Sequence, residues 1–413
     1  MYKLMRVIQV KPPRKSQRRT GRWAAVTLLG VLLLAAVAGT VNYLRPLPLV
    51  EASGIAEARV PPAAVSLAWP NYGQSSLALA DGTLLATNGE QKPLATASIA
   101  KVITALCVLE KHPLKAGEQG PTITLTQADV DIYNHYVAND GSVTYVEAGE
   151  TMTQYQLLQG LMLPSANNLS DTLAIWSFGS LDAYFTYANQ FLAQNGMLNT
   201  KVAVDASGLD GATVSTASDL AKLGSLALKK PVLMEIAGQK SAVLPLTGTV
   251  TNYNFALGQQ GVIGIKTGNN DQNTGALLYA ATVPVDGKNI TVTGAVMGAG
   301  TLGQALRDTV TLLASVPQNF SAVQLAAKGQ KVATYQAPWG ASATAVVAAD
   351  LSATRWNTQL ASVHTVLEPI DTTNPPKSVG TLYARTPKTN GQVAVVLEKP
   401  LAPPSFWWRL TRH

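Results

Sequence analysis

The chain has 413 residues, 47% of them apolar, with 33 Gly and 23 Pro. That is enough for two globular domains and excludes a disordered or collagen-like chain. One cysteine, Cys107, and four histidines exclude a disulfide framework, a Cys-rich metal site and a His-Glu-x-x-His zinc motif, and no metal or other cofactor is expected. The formal net charge of +7 is local: nine of the 31 basic residues lie in residues 1–45, ahead of the first acidic residue, Glu51. The other 22 basic residues face 24 acidic ones, so nucleic acid is not an expected partner.

In chain order, residues 1–22 carry Lys3, Arg6, Lys11, Arg14, Lys15, Arg18, Arg19 and Arg22, and read as a cytoplasmic basic tail. Residues 23–44 then run without a charge between Trp23 and Tyr43. At about 1.5 Å per residue this stretch comes close to a hydrocarbon core of about 30 Å, with amphipathic rings at both interfaces. It is expected to be a single-pass membrane anchor, with everything after Arg45 outside the cell. The small residues Ala35, Ala36 and Ala38 also leave room for a signal-peptide cleavage site, although the apolar run is longer than such a segment needs.

Residues 45–64, rich in Pro and Ala, read as a linker. The spacing predicts strands over 65–69 and 75–80, a tight turn at Asp81-Gly82 and a strand over 83–86. Apolar residues Ile99, Val102, Ile103, Leu106 and Leu109 predict a helix over 98–110, with Cys107 packed in its core. Further helices are predicted over 153–162, 167–178 and 218–228, and strands over 262–266, 275–283 and 290–297. Helices between strands at both ends predict an α+β domain over 65–316. From 317 to 400 the texture becomes short Val/Thr-rich segments (331–336, 343–348, 378–384 and 392–397), separated by turns at Pro338, Pro375-Pro376 and Asn390-Gly391. This predicts a small all-β C-terminal domain. In the tail, 401–413, Phe406-Trp407-Trp408-Arg409 suits either a membrane surface or packing onto the β domain.

Three short motifs could carry chemistry. Ser98-Ile99-Ala100-Lys101 places a hydroxyl and an amine one helical turn apart; a serine needs a base to become a nucleophile, and a buried lysine beside another cation sheds its proton readily. Ser165-Ala166-Asn167 follows Pro164 at a helix break, offering a hydroxyl for proton transfer and an amide for hydrogen bonding. Lys266-Thr267-Gly268 ends an apolar strand, supplying a positive charge, a hydroxyl donor for a carboxylate and a backbone that a substrate can approach as an added strand. Each alone is common and has an ordinary structural explanation. In this order, each in its local setting, they form the set of penicillin-binding proteins and class A β-lactamases, with Ser-Ala-Asn replacing Ser-Asp-Asn.

From about residue 64 to 410 the chain resembles the serine-type D-alanyl-D-alanine carboxypeptidases, the low-molecular-mass penicillin-binding proteins. Residues 97–105 (ASIAKVITA), 160–167 (GLMLPSAN), 205–210 (DASGLD) with 215–220 (STASDL), and 264–268 (GIKTG) carry the resemblance. It implies a penicillin-binding, serine β-lactamase-like fold: an antiparallel sheet with a helical cluster, followed by the small all-β domain. It also implies removal of the terminal D-alanine from peptidoglycan stem pentapeptides, with β-lactams as inhibitors. Ser98 would be the nucleophile, Lys101 its general base and Ser165 the proton relay to the departing D-alanine. Asn167 would hold the acyl chain, Lys266 and Thr267 the terminal carboxylate, with Gly268 admitting the substrate close to the backbone, and the N–H groups of Ser98 and Asn269 the oxyanion.

Two positions depart from the pattern: the arginine that relatives often carry after the Val296-Met297-Gly298 strand is missing, and Thr251 stands where others have one before Asn252. The absence of any glutamate between Glu150 and Glu235 argues against a class A β-lactamase. Endopeptidase or transpeptidase action on the same scaffold, and a catalytically retired wall-binding protein, remain as alternatives. His135, in a polar stretch, reads as loop structure first and as a substrate contact second.

Overall fold

The computed structural model describes residue 9 and residues 17–55, 57, 59–270, 275–374, 376–385 and 391–412. Lys3, Arg6, Lys11, Arg14 and Lys15 of the basic tail lie outside the described residues, as do Pro375 and Asn390 of the expected turns.

By internal contacts the chain divides into two units. The first comprises Ala63–Ala322 with Trp356–Thr358. Its five-stranded sheet is antiparallel, in the order Val262–Gly268, Gly275–Val285, Lys288–Ala299, Gln74–Leu79, Leu84–Asn88. The Gly275–Val285 strand is almost entirely buried, and the Lys288–Ala299 strand is buried over 292–297, because helices cover both faces there. One face carries a cluster of α2 (Ala100–Lys111), α3 (Gln127–Ala138), α4 (Gln154–Met162), α5 (Asn167–Phe178), α6 (Leu181–Gln194), α7 (Ala217–Leu228) and α8 (Pro231–Ala237). The other face carries α9 (Leu302–Ala314) and the buried Trp356. The close approach of α7 needs a small residue: a Cβ at Gly224 would lie 2.1 Å from Thr293 Oγ1.

Local chemistry explains where the helices start. The α4 N-terminus is a capping box, Thr153 accepting from the Gln156 N–H while the Gln156 side chain accepts from the Thr153 N–H. A second box, Thr126 with Asp129, opens α3, and Ser180, Thr216 and Thr301 cap α6, α7 and α9. Periodicity did not mark α3, α6, α8 and α9, although cap residues precede α3, α6 and α9 and Pro231 opens α8 at its first turn. His135 is therefore helical, in the last turn of α3, not part of a loop. Residues 65–69 form no strand: the Ser66 and Ala68 N–H groups are satisfied by the side chains of Asn319 and Ser315 instead of a ladder.

The second unit comprises the described residues of Met1–Pro62 with Val323–Arg355 and Gln359–His413. It begins with α1 (Gln17–Leu44), within which Gly21–Leu44 is long and apolar enough to cross a membrane and has its most apolar stretch exposed. Its seven-stranded antiparallel sheet runs in the order Ala52–Ser53, Lys331–Gln336, Ser342–Val347, Gln392–Leu397, Gly380–Arg385, Ala361–Leu367, Arg59–Val60. The stretch expected to be a linker thus supplies both edge strands, and Val50 enters the core. Edge pairs of two residues carry too little pattern to be seen in a Pro-rich sequence. The unit ends in α10 (Phe406–Thr411).

Candidate active site

Ser98 lies in a 3₁₀ turn, Ala97–Ile99, that leads directly into α2. The turn is tight: Ala97 has φ +45°, a conformation that costs a non-glycine residue on the order of 1–3 kcal/mol. Two glycines let the backbone close around it. A Cβ at Gly208 (φ +78°) would lie 2.3 Å from the Ala97 carbonyl oxygen, and one at Gly268 would lie 2.8 Å from that of Thr96. Ser98 is half-buried, so its hydroxyl can be reached.

Lys101, one turn on, is fully buried. Its Nζ lies 2.9 Å from Ser98 Oγ, 2.6 Å from Asn167 Oδ1 and 3.1 Å from the Ser207 carbonyl oxygen. Burial pulls its pKa down to about 7, against the opposing pull of the Asp205 and Asp171 carboxylates. A neutral amine has two N–H donors and one lone pair. Since Asn167 Oδ1 and the Ser207 carbonyl only accept, they take both protons and leave the lone pair facing the Ser98 hydroxyl. The surroundings thereby orient the amine as a base.

The loop that supplies the Ser207 carbonyl is itself organised by Asp205. One of its oxygens accepts from the N–H groups of Ser207 and Gly208 and from the Ser207 hydroxyl, the other from the Asp210 N–H. Asp171 accepts from Tyr136 Oη at 2.7 Å and from the Ala206 N–H at 2.9 Å, and burial raises its pKa to about 6. Sequence motifs pointed to the 205–210 segment without giving it a role, and missed Asp171 and Tyr136; only their distance in the chain from Ser98 hid them.

Ser165 sits between α4 and α5 with φ +63°. Its hydroxyl is buried and has no hydrogen-bond partner among the described residues. Asn167 opens α5, its N–H donating to the Ser142 carbonyl. Its carbonyl oxygen is engaged by Lys101, which leaves only the Nδ2 group of the side chain for any other partner.

The Val262–Gly268 strand lies at the edge of the five-stranded sheet, with Lys266 opposite Leu278 and Thr267 opposite Leu277. Lys266 is buried, its Nζ within 3.3 Å of Thr267 Oγ1. Burial, and then the charge of Lys101, push its pKa well down. The cation–cation effect expected for Lys101 is thus felt at Lys266, while burial alone drives the change at Lys101. Thr267 is buried beside it and Asn269, just past Gly268, is exposed. Beside these residues a cavity of about 780 Å³ is lined by His135, Tyr136, Asp171, Asp205 and Asn270 among others.

The architecture defines a penicillin-binding serine peptidase. The crystal structure of the Streptomyces K15 DD-transpeptidase matches with TM-score 0.52 and 25% identity, over 62% of this chain and 98% of that one. Penicillin binding protein 5 from Haemophilus influenzae matches over 83% of this chain and 100% of its own, with TM-score 0.56 and 17% identity, a likeness of fold. Among curated relatives, the D-alanyl-D-alanine carboxypeptidase of Streptomyces sp. (strain K15) is 28% identical over 49% of this chain and 72% of its own length. D-alanyl-D-alanine carboxypeptidase DacB2 of Mycobacterium tuberculosis is 32% identical over 46% of this chain and 63% of that protein.

The family model for D-alanyl-D-alanine carboxypeptidase (peptidase S11) matches residues 77–301, more than half of the chain. The chain belongs to this family of serine carboxypeptidases, as the motifs implied.

Proposed function

We propose that this chain is a membrane-anchored D,D-carboxypeptidase that removes the terminal D-alanine from peptidoglycan stem pentapeptides through an acyl-enzyme on Ser98. The observation that carries the reading is Lys101 Nζ, fully buried, with a pKa near 7 and 2.9 Å from Ser98 Oγ. At neutral pH about half of the lysines are ready to accept the hydroxyl proton as Ser98 attacks the penultimate D-alanine carbonyl. The Ser98 and Asn269 N–H groups would receive the oxyanion.

The free Ser165 hydroxyl suits a relay that passes the proton to the departing amine. Lys266 and Thr267 would bind the terminal carboxylate, on an edge strand whose open side allows the peptide to be added in extended form. An arriving carboxylate favours the charged form of Lys266, and that charge disfavours protonation of Lys101, so substrate binding keeps the base neutral. Asn167 has two tasks: its oxygen positions Lys101, and its Nδ2 group is left to hold the acyl chain. β-Lactams would acylate Ser98 in the same way, and water would complete the turnover of the peptide.

The length and exposure of Gly21–Leu44 support a single span, with residues 1–22 inside and the catalytic unit outside the cell. Full-length protein incubated with a synthetic pentapeptide ending in D-alanyl-D-alanine should release D-alanine and take up a fluorescent penicillin, and Ser98→Ala should do neither. Absence of labelling in the wild type would favour a retired wall-binding protein. Transfer of the acyl group to an added amine in place of hydrolysis would favour the transpeptidase reading.

A further inference from the structure

Helix α5, which carries Asn167 at its first position, begins without a side-chain cap. Ala166 stands at the N-cap and has no oxygen on its side chain to offer the first turn. The partners come instead from the segment that follows α3. The Asn167 N–H donates to the Ser142 carbonyl at 2.7 Å. Next to it, the fully buried Asn168 side chain pairs with the Thr144 backbone in both directions. Its Oδ1 accepts from the Thr144 N–H at 3.0 Å, and its Nδ2 donates to the Thr144 carbonyl at 2.9 Å.

The way α3 ends puts that segment in place. The helix closes in a Schellman motif: Asp140 takes φ +53°, its N–H donates to the Val137 carbonyl, and the Gly141 N–H donates to the Tyr136 carbonyl at 2.8 Å. Gly141 is thereby pressed against Asn167, where a Cβ would lie 2.7 Å from Nδ2. The hydroxyl of Tyr136 bonds Asp171. One turn of chain thus meets two groups that surround Lys101: Asn167, whose oxygen accepts from Nζ, and Asp171, whose charge acts on it. The direction of the Asn167 amide decides the chemistry. With Oδ1 on Lys101 the lone pair of the neutral amine is left for Ser98; turned over, the amide NH₂ would donate into that lone pair and disable the base.

We propose that Gly141 and Asn168 are positioning residues for the acylation of Ser98: Asn168 clasps the 141–144 segment to the start of α5, and Gly141, having no side chain, lets the Asn167 amide lie with its oxygen on Lys101. Both act through Asn167. The proposal rests on the reading of Lys101 as the base.

The test is stopped-flow acylation of the full chain by a fluorescent penicillin, with the labelled fraction at completion counting the competent chains. Gly141 lies outside the positive-φ region, so Gly141→Ala strains no backbone and acts through its methyl group. At about pH 8.5, where Lys101 is neutral, its acylation rate should fall ~10- to 100-fold, the cost of a misplacement of about 1 Å, with every chain still labelled in the end. Asn168→Ala should slow acylation similarly. Its rising limb should also move to higher pH, because a loosened Asn167 admits water to Lys101 and relieves the burial that favours the neutral amine. Asp205, Asp171 and Lys266, the charged groups that bear on this pair of lysines, are kept in both variants. Thr153→Ala, which weakens the neighbouring α4 alone, gives the effect of lost stability and should leave the rate and the limb in place. A wild-type rate in Gly141→Ala would overturn the role of Gly141, and a wild-type rate and limb in Asn168→Ala would overturn the clasp. Fewer labelled chains reacting at the normal rate would mean a merely structural role and overturn both. A wild type that takes up no label would overturn the reading of Lys101 and the proposal together.

Discussion

The pH dependence of Ser98 acylation tests the central chemistry most directly. Only the neutral form of Lys101 can take the serine proton, and its pKa lies near 7. The neutral fraction is then ~3% at pH 5.5, half at pH 7 and above ~95% at pH 8.5, so the second-order rate of penicillin acylation should rise ~30-fold over that range and then level off. Stopped-flow measurement with a fluorescent penicillin gives this profile without the later hydrolytic step. The carboxylates of Asp205 and Asp171 raise the lysine pKa while burial lowers it. Removing one of those charges in Asp171→Asn, which can still hydrogen-bond Tyr136, should move the rising limb to lower pH. Asp171 bears on Lys101 and not on Lys266. A flat profile, or a limb that stays in place in Asp171→Asn, would refute Lys101 as the base.

Three further outcomes are expected. Gly208→Ala forces a Cβ against the Ala97 carbonyl at positive φ; thermal melts should show a loss of at least ~1–3 kcal/mol, and acylation should fall even where the variant is folded, because the Ser98 turn is displaced. Thr153→Ala removes the capping box of α4 and should cost about 1 kcal/mol by denaturant unfolding with acylation little changed. Because the folded state releases the Lys101 proton near pH 7 and the unfolded chain near the ordinary lysine value of 10.5, stability should increase with pH through that window, by up to about 1.4 kcal/mol per pH unit. Below pH 7 both states hold the proton and this contribution to the slope vanishes; in Lys101→Met the slope between pH 7 and 10 should be reduced, as measured by urea titration at a series of pH values.

Much of the molecule could be read from the chain. Periodicity marked α2, α4, α5 and α7 and the three long strands of the catalytic sheet, because a helix or strand that buries one face writes that face into its sequence. The motifs around Ser98, Ser165 and Lys266 needed no structure to be recognised, since the chemistry restricts residue type and local spacing together.

What the sequence left undecided depends on contacts between distant segments. No local rule states that the Lys101 amine is enclosed by Asn167 and the Ser207 carbonyl, which lie 66 and 106 positions away. Yet that enclosure removes water, lowers the pKa and directs the lone pair. Likewise, two-residue strands at 52–53 and 59–60 exist only because a finished sheet offers them an edge, and the tail is helical over 406–411 where it meets the end of α1. Composition and period establish which surfaces must be buried; desolvation and hydrogen bonding at a shared point in space arise only once the chain has folded back on itself.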